Sequence, residues 1–506
     1  MRPIPQFDRV AGWLGGPLRR AGIIVIGLTI VGKGVGFVRE VVIAAVYGTS
    51  APIDLYLAAV AVPAIIGTVL YHALPNALIP LFSEHRAPHP TGRKVAVVLL
   101  VLMAVISSAI WVTAPWVSSL TSKGFEASAQ AEVAILLRIV CAAILFVTAE
   151  SLMRSWLLAR KRFAWSGASQ IWQSVVMIAA IAIFPEGGSR VLAWGYFLGS
   201  VASLLWSGLG FRDRATPILA TEAGATLLHA HGLSWVALVL ITDTLSQFYT
   251  LIDRHFAAFM PTGSIAAVQY AGVLISAPLG IAGSALASVV FPYLSDAVSA
   301  NDRGRAARIF TKGVDWALVV AVPSAVIGIL LSQPLTQVVF ERGAFQSSSR
   351  ESTALAIAVL AWGMIPSILG GMAGRFAYAR TAWRPLLAGA VVGLAGKYAV
   401  AALTAEKYGI AGIAAGTVIG YSLTAAVLFA AVPSDVIQQH WITWARRSFI
   451  LAGAFLASSA LGMWIFRLLP GRTLAGSVAA LFVAVALGSV LAYAGSRALN
   501  RVPKPA

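Results

Sequence analysis

The 506-residue sequence predicts an all-α polytopic membrane protein of about 14 transmembrane helices. The expected plan is two parallel-repeat six-helix lobes around a central cavity, plus two C-terminal helices. Three observations predict it: an extreme apolar composition, a one-sided distribution of basic residues, and an internal repeat. Hydrophobic residues make up 59% of the chain and charged residues 11%, with a mean hydropathy of +0.84. Soluble domains are about half apolar and about a quarter charged. A chain this apolar would precipitate unless lipid solvated most of its surface, which argues against a soluble enzyme.

A transmembrane helix needs about 20 mostly apolar residues. Such stretches lie near 22–46, 54–82, 94–117, 131–153, 163–184, 190–211, 232–256, 264–294, 312–332, 352–377, 384–404, 409–432, 447–468 and 473–495. Those at 54–82 and 264–294 exceed the bilayer thickness. Each is expected to tilt, bend at Pro63 or Pro278, or extend into the interface. The domain plan is a cytoplasmic segment 1–21, an N-lobe 22–215, a C-lobe 232–432, the added helices 447–495 and a cytoplasmic tail 496–506. No small-residue cleavage site follows the basic N-terminus, so no signal peptide is expected.

The net charge is +18. In a soluble protein this would suggest nucleic acid; here the basic residues occupy short loops, where topology and anionic lipid explain them. With a cytoplasmic N-terminus, about 23 basic residues fall on the cytoplasmic side against about 8 opposite, as the positive-inside rule requires. Both termini are then cytoplasmic, in a bacterial inner membrane. The one cysteine, Cys141, sits in an apolar span and builds no disulfide or metal cluster.

The chain also repeats itself. Arg39, Gly48 and Pro63 are matched at one offset by Arg254, Gly263 and Pro278. The segments end alike, in Pro80-Leu81-Phe82-Ser83-Glu84 and Pro292-Tyr293-Leu294-Ser295-Asp296. Weaker echoes pair Ala159-Arg160 with Ala379-Arg380, and Lys123-Gly124-Phe125 with Arg342-Gly343-Ala344-Phe345. The first and seventh spans correspond, so the two halves share one orientation. Spans thirteen and fourteen lie outside the repeat.

A charge at the bilayer centre costs at least ~2.5–3.5 kcal/mol, so intramembrane charges are candidates for function. The densest group is Lys33, Arg39 and Glu40 in span one, with Asp54 opening span two. Lys33, Gly36 and Glu40 share a helical face. A cationic wall of this kind suits a phosphate or pyrophosphate. The alternative is a buried ion pair of Arg39 with Asp54 or Glu40. Arg138, Glu150, Arg154, Asp243, Asp253, Arg254, Asp315, Arg375 and Lys397 are the other intramembrane charges. Asp253 and Arg254 fall at a span end and read equally as interfacial residues. Arg154 and Arg375 sit where they can snorkel. Lys397 is mid-span, either a cavity charge or a partner for Asp243 or Asp253. Phosphate-binding Gly-rich loops, His-Glu-x-x-His and Cys-x-x-Cys are all missing, so no enzyme, cofactor or metal is expected. Transport driven by a gradient fits this inventory.

Over about 22–432 the sequence resembles the MurJ/MviN family of lipid II flippases, within the multidrug, oligosaccharidyl-lipid and polysaccharide exporter superfamily. The carriers are Gly36-Phe37-Val38-Arg39-Glu40, Gly48 through Asp54, Pro63, and the ending Pro80 to Glu84. In the second half they are Pro261-Thr262-Gly263-Ser264, Pro278-Leu279-Gly280 and Phe340-Glu341-Arg342-Gly343-Ala344-Phe345. The resemblance implies an alternating-access flippase for an undecaprenyl-pyrophosphate-linked glycan, with the membrane and that polyprenyl-pyrophosphate-linked glycan lipid as partners. It places Lys33 at the first cavity arginine, Arg39 at the second, Asp54 at a functional aspartate, and Glu40 where an aspartate is usual. The sequence departs at Pro63-Ala64-Ile65-Ile66-Gly67, where an arginine is typical, and at Gly272-Val273, in place of Asp-Arg. The family's Glu-Gly-Ala-Phe region reads His72-Ala73-Leu74-Pro75. Gly393 and Lys397 fall about where span eleven usually offers asparagines near a sodium site, so a lysine there can supply its own cation. The alternatives are an exopolysaccharide-unit flippase, a drug exporter, and a non-transporting scaffold that recruits glycan-assembly enzymes.

Overall fold

The computed structural model describes residues 17–83, 90–160, 162–212, 241–242, 244–286, 290–434, 437, 440–468 and 473–500. These residues are helical apart from turns and short connections. Helix is the expected solution, because hydrocarbon cannot satisfy backbone N–H and C=O groups and a helix does so internally. The helices are α1 (Pro17–Tyr47), α2 (Ala51–Ser83), α3 (Pro90–Val112), α4 (Ala114–Thr121), α5 (Ala127–Ala159), α6 (Phe163–Ile183) and α7 (Gly188–Arg212). They continue as α8 (244–257), α9 (Ser264–Ala285), α10 (Phe291–Ser299), α11 (Arg303–Leu330) and α12 (Ser332–Phe340). The last are α13 (Ser347–Leu360), α14 (Met364–Ala379), α15 (Trp383–Tyr408), α16 (Ile410–Ala430), α17 (Trp441–Leu468) and α18 (Leu474–Asn500). Among the described residues, 11 stretches are long and apolar enough to cross a membrane, and Ser264–Gly280 is a shorter apolar helix.

Some expected boundaries change. The stretch 94–117 is not one span: α3 stops at Val112, and α4 begins with a proline in its first turn. Proline lacks an N–H and suits a helix start, where that donor would be unsatisfied anyway. Within 264–294 the regular α-helical turns are α9 and α10, and Leu286 and Val290 between them keep helical backbone angles. α9 runs through Pro278 to Ala285, and α10 begins with Pro292 in its first turn. α11 begins at Arg303, earlier than expected, because the Asp302 carboxylate accepts from the Arg305 amide at 2.9 Å and caps it. By contrast, α2 is a single helix of 33 residues that includes Pro63.

The chain forms two compact units. The first comprises Met1–Ile43 and Leu55–Thr244; the second comprises Ala44–Asp54 and Leu245–Ala506. In the first, α6 packs against α7, and α5 against both α3 and α7. In the second, α15 packs against α16, α14 against α16, and α9 against α13. A buried apolar cluster of Ala271, Ile275, Ala325, Ile357, Leu360 and Met364 lies among these helices.

Corresponding turns in the two halves have matching backbones. Gly188 before α7 (φ 58°, ψ −142°) and Gly409 before α16 (φ 58°, ψ −135°) adopt one conformation. Positive φ favours glycine, which has no Cβ. Arg160 and Arg380 both end their helices, and each guanidinium lies over the aromatic ring four residues earlier, Trp156 and Phe376.

The two helices outside the repeat join the second unit through side chains. Arg447 pairs with Asp315, and the Ser477 hydroxyl bonds the Gln337 amide oxygen at 2.5 Å. Trp444 joins the Phe310 and Phe376 rings. α17 and α18 touch closely at Gly462, where a Cβ would stand 2.5 Å from the Ala480 carbonyl oxygen. Gly462→Val is expected to push them apart at a cost of about 1–3 kcal/mol. Thermal unfolding of the detergent-purified protein checks this; an unchanged midpoint refutes the close contact.

Candidate functional site

In the first unit, α1 carries Lys33, Arg39 and Glu40. Lys33 is exposed. Arg39 Nη2 donates to Glu40 Oε1 at 2.6 Å, which selects Glu40 from the two expected partners. Arg39 Nε is buried with no hydrogen-bond partner. A buried guanidinium donor of this kind can take an incoming anion. Arg154 and Arg375 take backbone carbonyls as partners. Arg154 Nη1 donates to the Tyr71 carbonyl at 3.0 Å, and Arg375 donates to the Gly371 and Gly283 carbonyls at 2.9 and 2.7 Å. Such carbonyls satisfy guanidinium donors that hydrocarbon would leave unpaired.

Asp54 groups with the second unit as the end of the turn segment Ala44–Asp54. Its side chain is buried. Its carboxylate accepts from the Gly263 amide at 2.5 Å and the Ala266 amide at 2.8 Å, capping the start of α9 from a distant part of the chain. A negative charge also complements the positive end of that helix. The rest of the segment is held as firmly. Tyr270 donates to the Gly48 carbonyl at 3.0 Å, the Ala344 amide donates to the Ala45 carbonyl at 2.8 Å, and the Thr49 and Ser349 hydroxyls are 2.7 Å apart. The backbones approach so closely that Gly48 (φ 56°), Gly263 (φ 92°) and Gly343 (φ 59°) have no room for a side chain. The repeated Gly48 and Gly263 thus meet in one clasp.

The second unit also holds an open cavity of about 300 Å³. Asp253, Arg254, Gln269, Lys397, Thr417 and Tyr421 are among its walls. Asp253 and Arg254 come from α8, near its end, where protein surrounds them: Arg254 is 7% exposed and the Asp253 side chain is half-buried. Lys397 is fully buried, and its ammonium donates to Asp253 Oδ1 at 2.7 Å and Thr417 Oγ1 at 2.8 Å. It also lies 4.8 Å from the centre of the Tyr249 ring, which stacks on Tyr421. Carboxylate, hydroxyl and aromatic face together form a cage for a monovalent cation. Of the two expected partners Asp253 is the one found; Asp243 lies outside the described residues. Small residues admit the lysine: a Cβ at Gly420 would come within 3.0 Å of the Lys397 Cβ. At Gly393 a Cβ would meet the Thr424 hydroxyl, so an asparagine does not fit there.

Gly272 and Val273 line the same cavity. The arginine expected from α9 is therefore missing from a wall that Arg254 and Lys397 supply from α8 and α15. Sequence reasoning missed the clasp. Its glycines were visible as repeat matches, but nothing in the sequence linked Gly343 to Ala45.

A family model described as lipid II flippase MurJ matches residues 43–484. A Burkholderia cenocepacia protein named "Lipid II flippase MurJ" is 25% identical over 469 residues, covering 88% of this chain and 90% of its own. A Vibrio cholerae protein named "Probable lipid II flippase MurJ" is 26% identical over 442 residues, 81% of this chain and 82% of its own. Among solved structures, "Lipid II flippase MurJ, inward closed conformation" superposes with a TM-score of 0.78 at 19% identity, covering 95% of this chain and all of that one. An inward-facing multidrug MATE transporter superposes with a TM-score of 0.59 at 17% identity, covering 82% and 98%.

Breaking one side of a buried ion pair costs about 3–5 kcal/mol, because the other charge is left uncompensated. Lys397→Met and Asp253→Asn are each expected to lower stability by that order, and the double variant by less than their sum. A double-mutant cycle on unfolding in detergent checks this; additive losses would show that the two side chains do not interact.

Proposed function

The chain belongs to the MurJ lipid II flippase family, and on that premise we propose that it carries an undecaprenyl-pyrophosphate-linked glycan precursor, lipid II by family default, from the cytoplasmic to the periplasmic leaflet. The observation that carries this reading is the continuous family match over 43–484. Transport is by alternating access. The substrate contacts we assign are Lys33, Arg39 and Glu40, with the pyrophosphate neutralised by charge-assisted hydrogen bonds. The buried Arg39 Nε without a partner supports this assignment. Asp54 acts by holding the 44–54 segment on α9, and the cycle requires that clasp to open and re-form. Arg254 and Lys397 supply cationic character from α8 and α15 where α9 has Gly272 and Val273.

The positive-inside bias supports cytoplasmic termini, with the basic loops facing the leaflet where glycan-assembly enzymes build the substrate. No reaction chemistry is assigned to the chain: it moves a lipid.

Lys397 also bears on the driving ion. Its ammonium fills the cage of Asp253, Thr417 and Tyr249, so a dissolved cation is not needed there. Flux in proteoliposomes is expected to keep its rate when sodium is replaced by potassium. A sodium requirement would overturn this role for Lys397.

The deciding experiment is complementation in a bacterium depleted of its lipid II flippase. The wild-type chain is expected to restore growth. Lys33→Ala and Arg39→Ala are expected to abolish rescue at equal membrane abundance. Lysis despite good expression of the wild type would overturn lipid II as substrate and point to another lipid-linked glycan, such as an exopolysaccharide unit. Rescue by both alanine variants would remove Lys33 and Arg39 from the site.

A further inference from the structure

Glu150, on α5 in the first unit, has no role in the reading above. Its side chain is 4% exposed. An ionised carboxylate in such a place needs a cation or several hydrogen bonds. Among the described residues, no lysine or arginine is in ion-pair contact with it. The Ser207 hydroxyl of α7 reaches Glu150 Oε1 at 3.5 Å, the outer limit of a hydrogen bond, and the Ser169 hydroxyl of α6 also faces the carboxyl. Among the described residues a single charged group faces it, Arg154, one turn along the same helix.

That arginine is engaged elsewhere. Nη1 donates to the Tyr71 carbonyl, and the guanidinium carbon lies 3.5 Å from the centre of the Tyr71 ring, so Arg154 ties α5 to α2. Tyr71 is the titratable group facing from α2. α6 and α7 contribute the uncharged Gln170, Gln173, Ser200 and Ser203. These side chains and Glu150 line a void of about 30 Å³. That is room for one water, set among exchangeable hydroxyl and amide protons.

We propose that Glu150 is a proton-binding site that switches Arg154 between two partners during the transport cycle. The carboxylate takes one proton from water and becomes a neutral acid, which suits the buried seam. Arg154 then stays on Tyr71. Loss of that proton to water leaves a carboxylate four residues from Arg154 on one helix face, where a rotamer change brings the two together. The guanidinium leaves Tyr71, and the tie between α5 and α2 opens.

The flux arm of the test rests on the flippase reading, so a second arm uses no substrate. In proteoliposomes, wild-type flipping of a lipid-linked glycan is expected to change several-fold between about pH 5.5 and about pH 8.5, while Glu150→Gln, fixed in the neutral form, is flat within about twofold. A Glu150→Gln variant that follows the wild-type profile overturns the proposal. If the wild type flips nothing at any pH, the flippase reading fails and the second arm decides. That arm is infrared difference spectroscopy of the full chain in lipid, titrated with pH. It is expected to show a protonated-carboxyl band that disappears at alkaline pH, is absent in Glu150→Gln and shifts in Glu150→Asp. If Glu150→Gln does not insert, the shift in Glu150→Asp decides alone. A spectrum in which no titrating band responds to substitution at Glu150 refutes proton binding there.

Discussion

Hydrocarbon solvates neither peptide groups nor charges, and most of this structure follows from that constraint. Backbone groups close on themselves as helices. Charges within the spans need protein partners, and several of the described ones find them in three ways. Arg39 with Glu40, and Lys397 with Asp253, form ion pairs. Arg154 and Arg375 donate to backbone carbonyls. Asp54 accepts from the first amides of a helix. All of these except the Arg39–Glu40 pair, which lies within α1, tie one helix to another, so a few polar groups decide geometry that a wholly apolar interface would leave loose.

Close approach is the second determinant, and glycine provides it. Without a hydrophobic driving force between helices in lipid, packing depends on small residues at the contacts. Gly48, Gly263 and Gly343 let three backbone segments meet in the clasp, and Gly420 makes room for the Lys397 side chain. The chain passes between the two compact units on both sides of the 44–54 segment. That segment begins in the last turn of α1, the helix that carries the proposed substrate contacts.

Family membership and departure from the family pattern are compatible on these terms. An arginine is missing at Gly272-Val273, yet Arg254 and Lys397 line the same cavity. In the proposed reading these two residues supply the cationic character that α9 lacks. The proposed tethered cation at Lys397 is a related economy, since one side chain supplies what would otherwise have to diffuse in.

The sequence by itself determined the helical membrane class, the positions of most spans, the repeat and the list of buried charges. Those properties depend on composition, apolar run length and charge placement, which are local and additive along the chain. It also singled out Arg39, Asp54, Asp253 and Lys397. Tertiary structure alone decided their partners. Asp54 binds amides 209 and 212 residues away, and Lys397 chose Asp253 across a turn and several helices. Pairing of this kind is set by helix packing, which no local pattern encodes. The break of 94–117 at Thr113 escaped for a similar reason. Apolar runs measure how much chain prefers lipid, whereas caps and prolines in the first turn decide where one helix stops and the next begins.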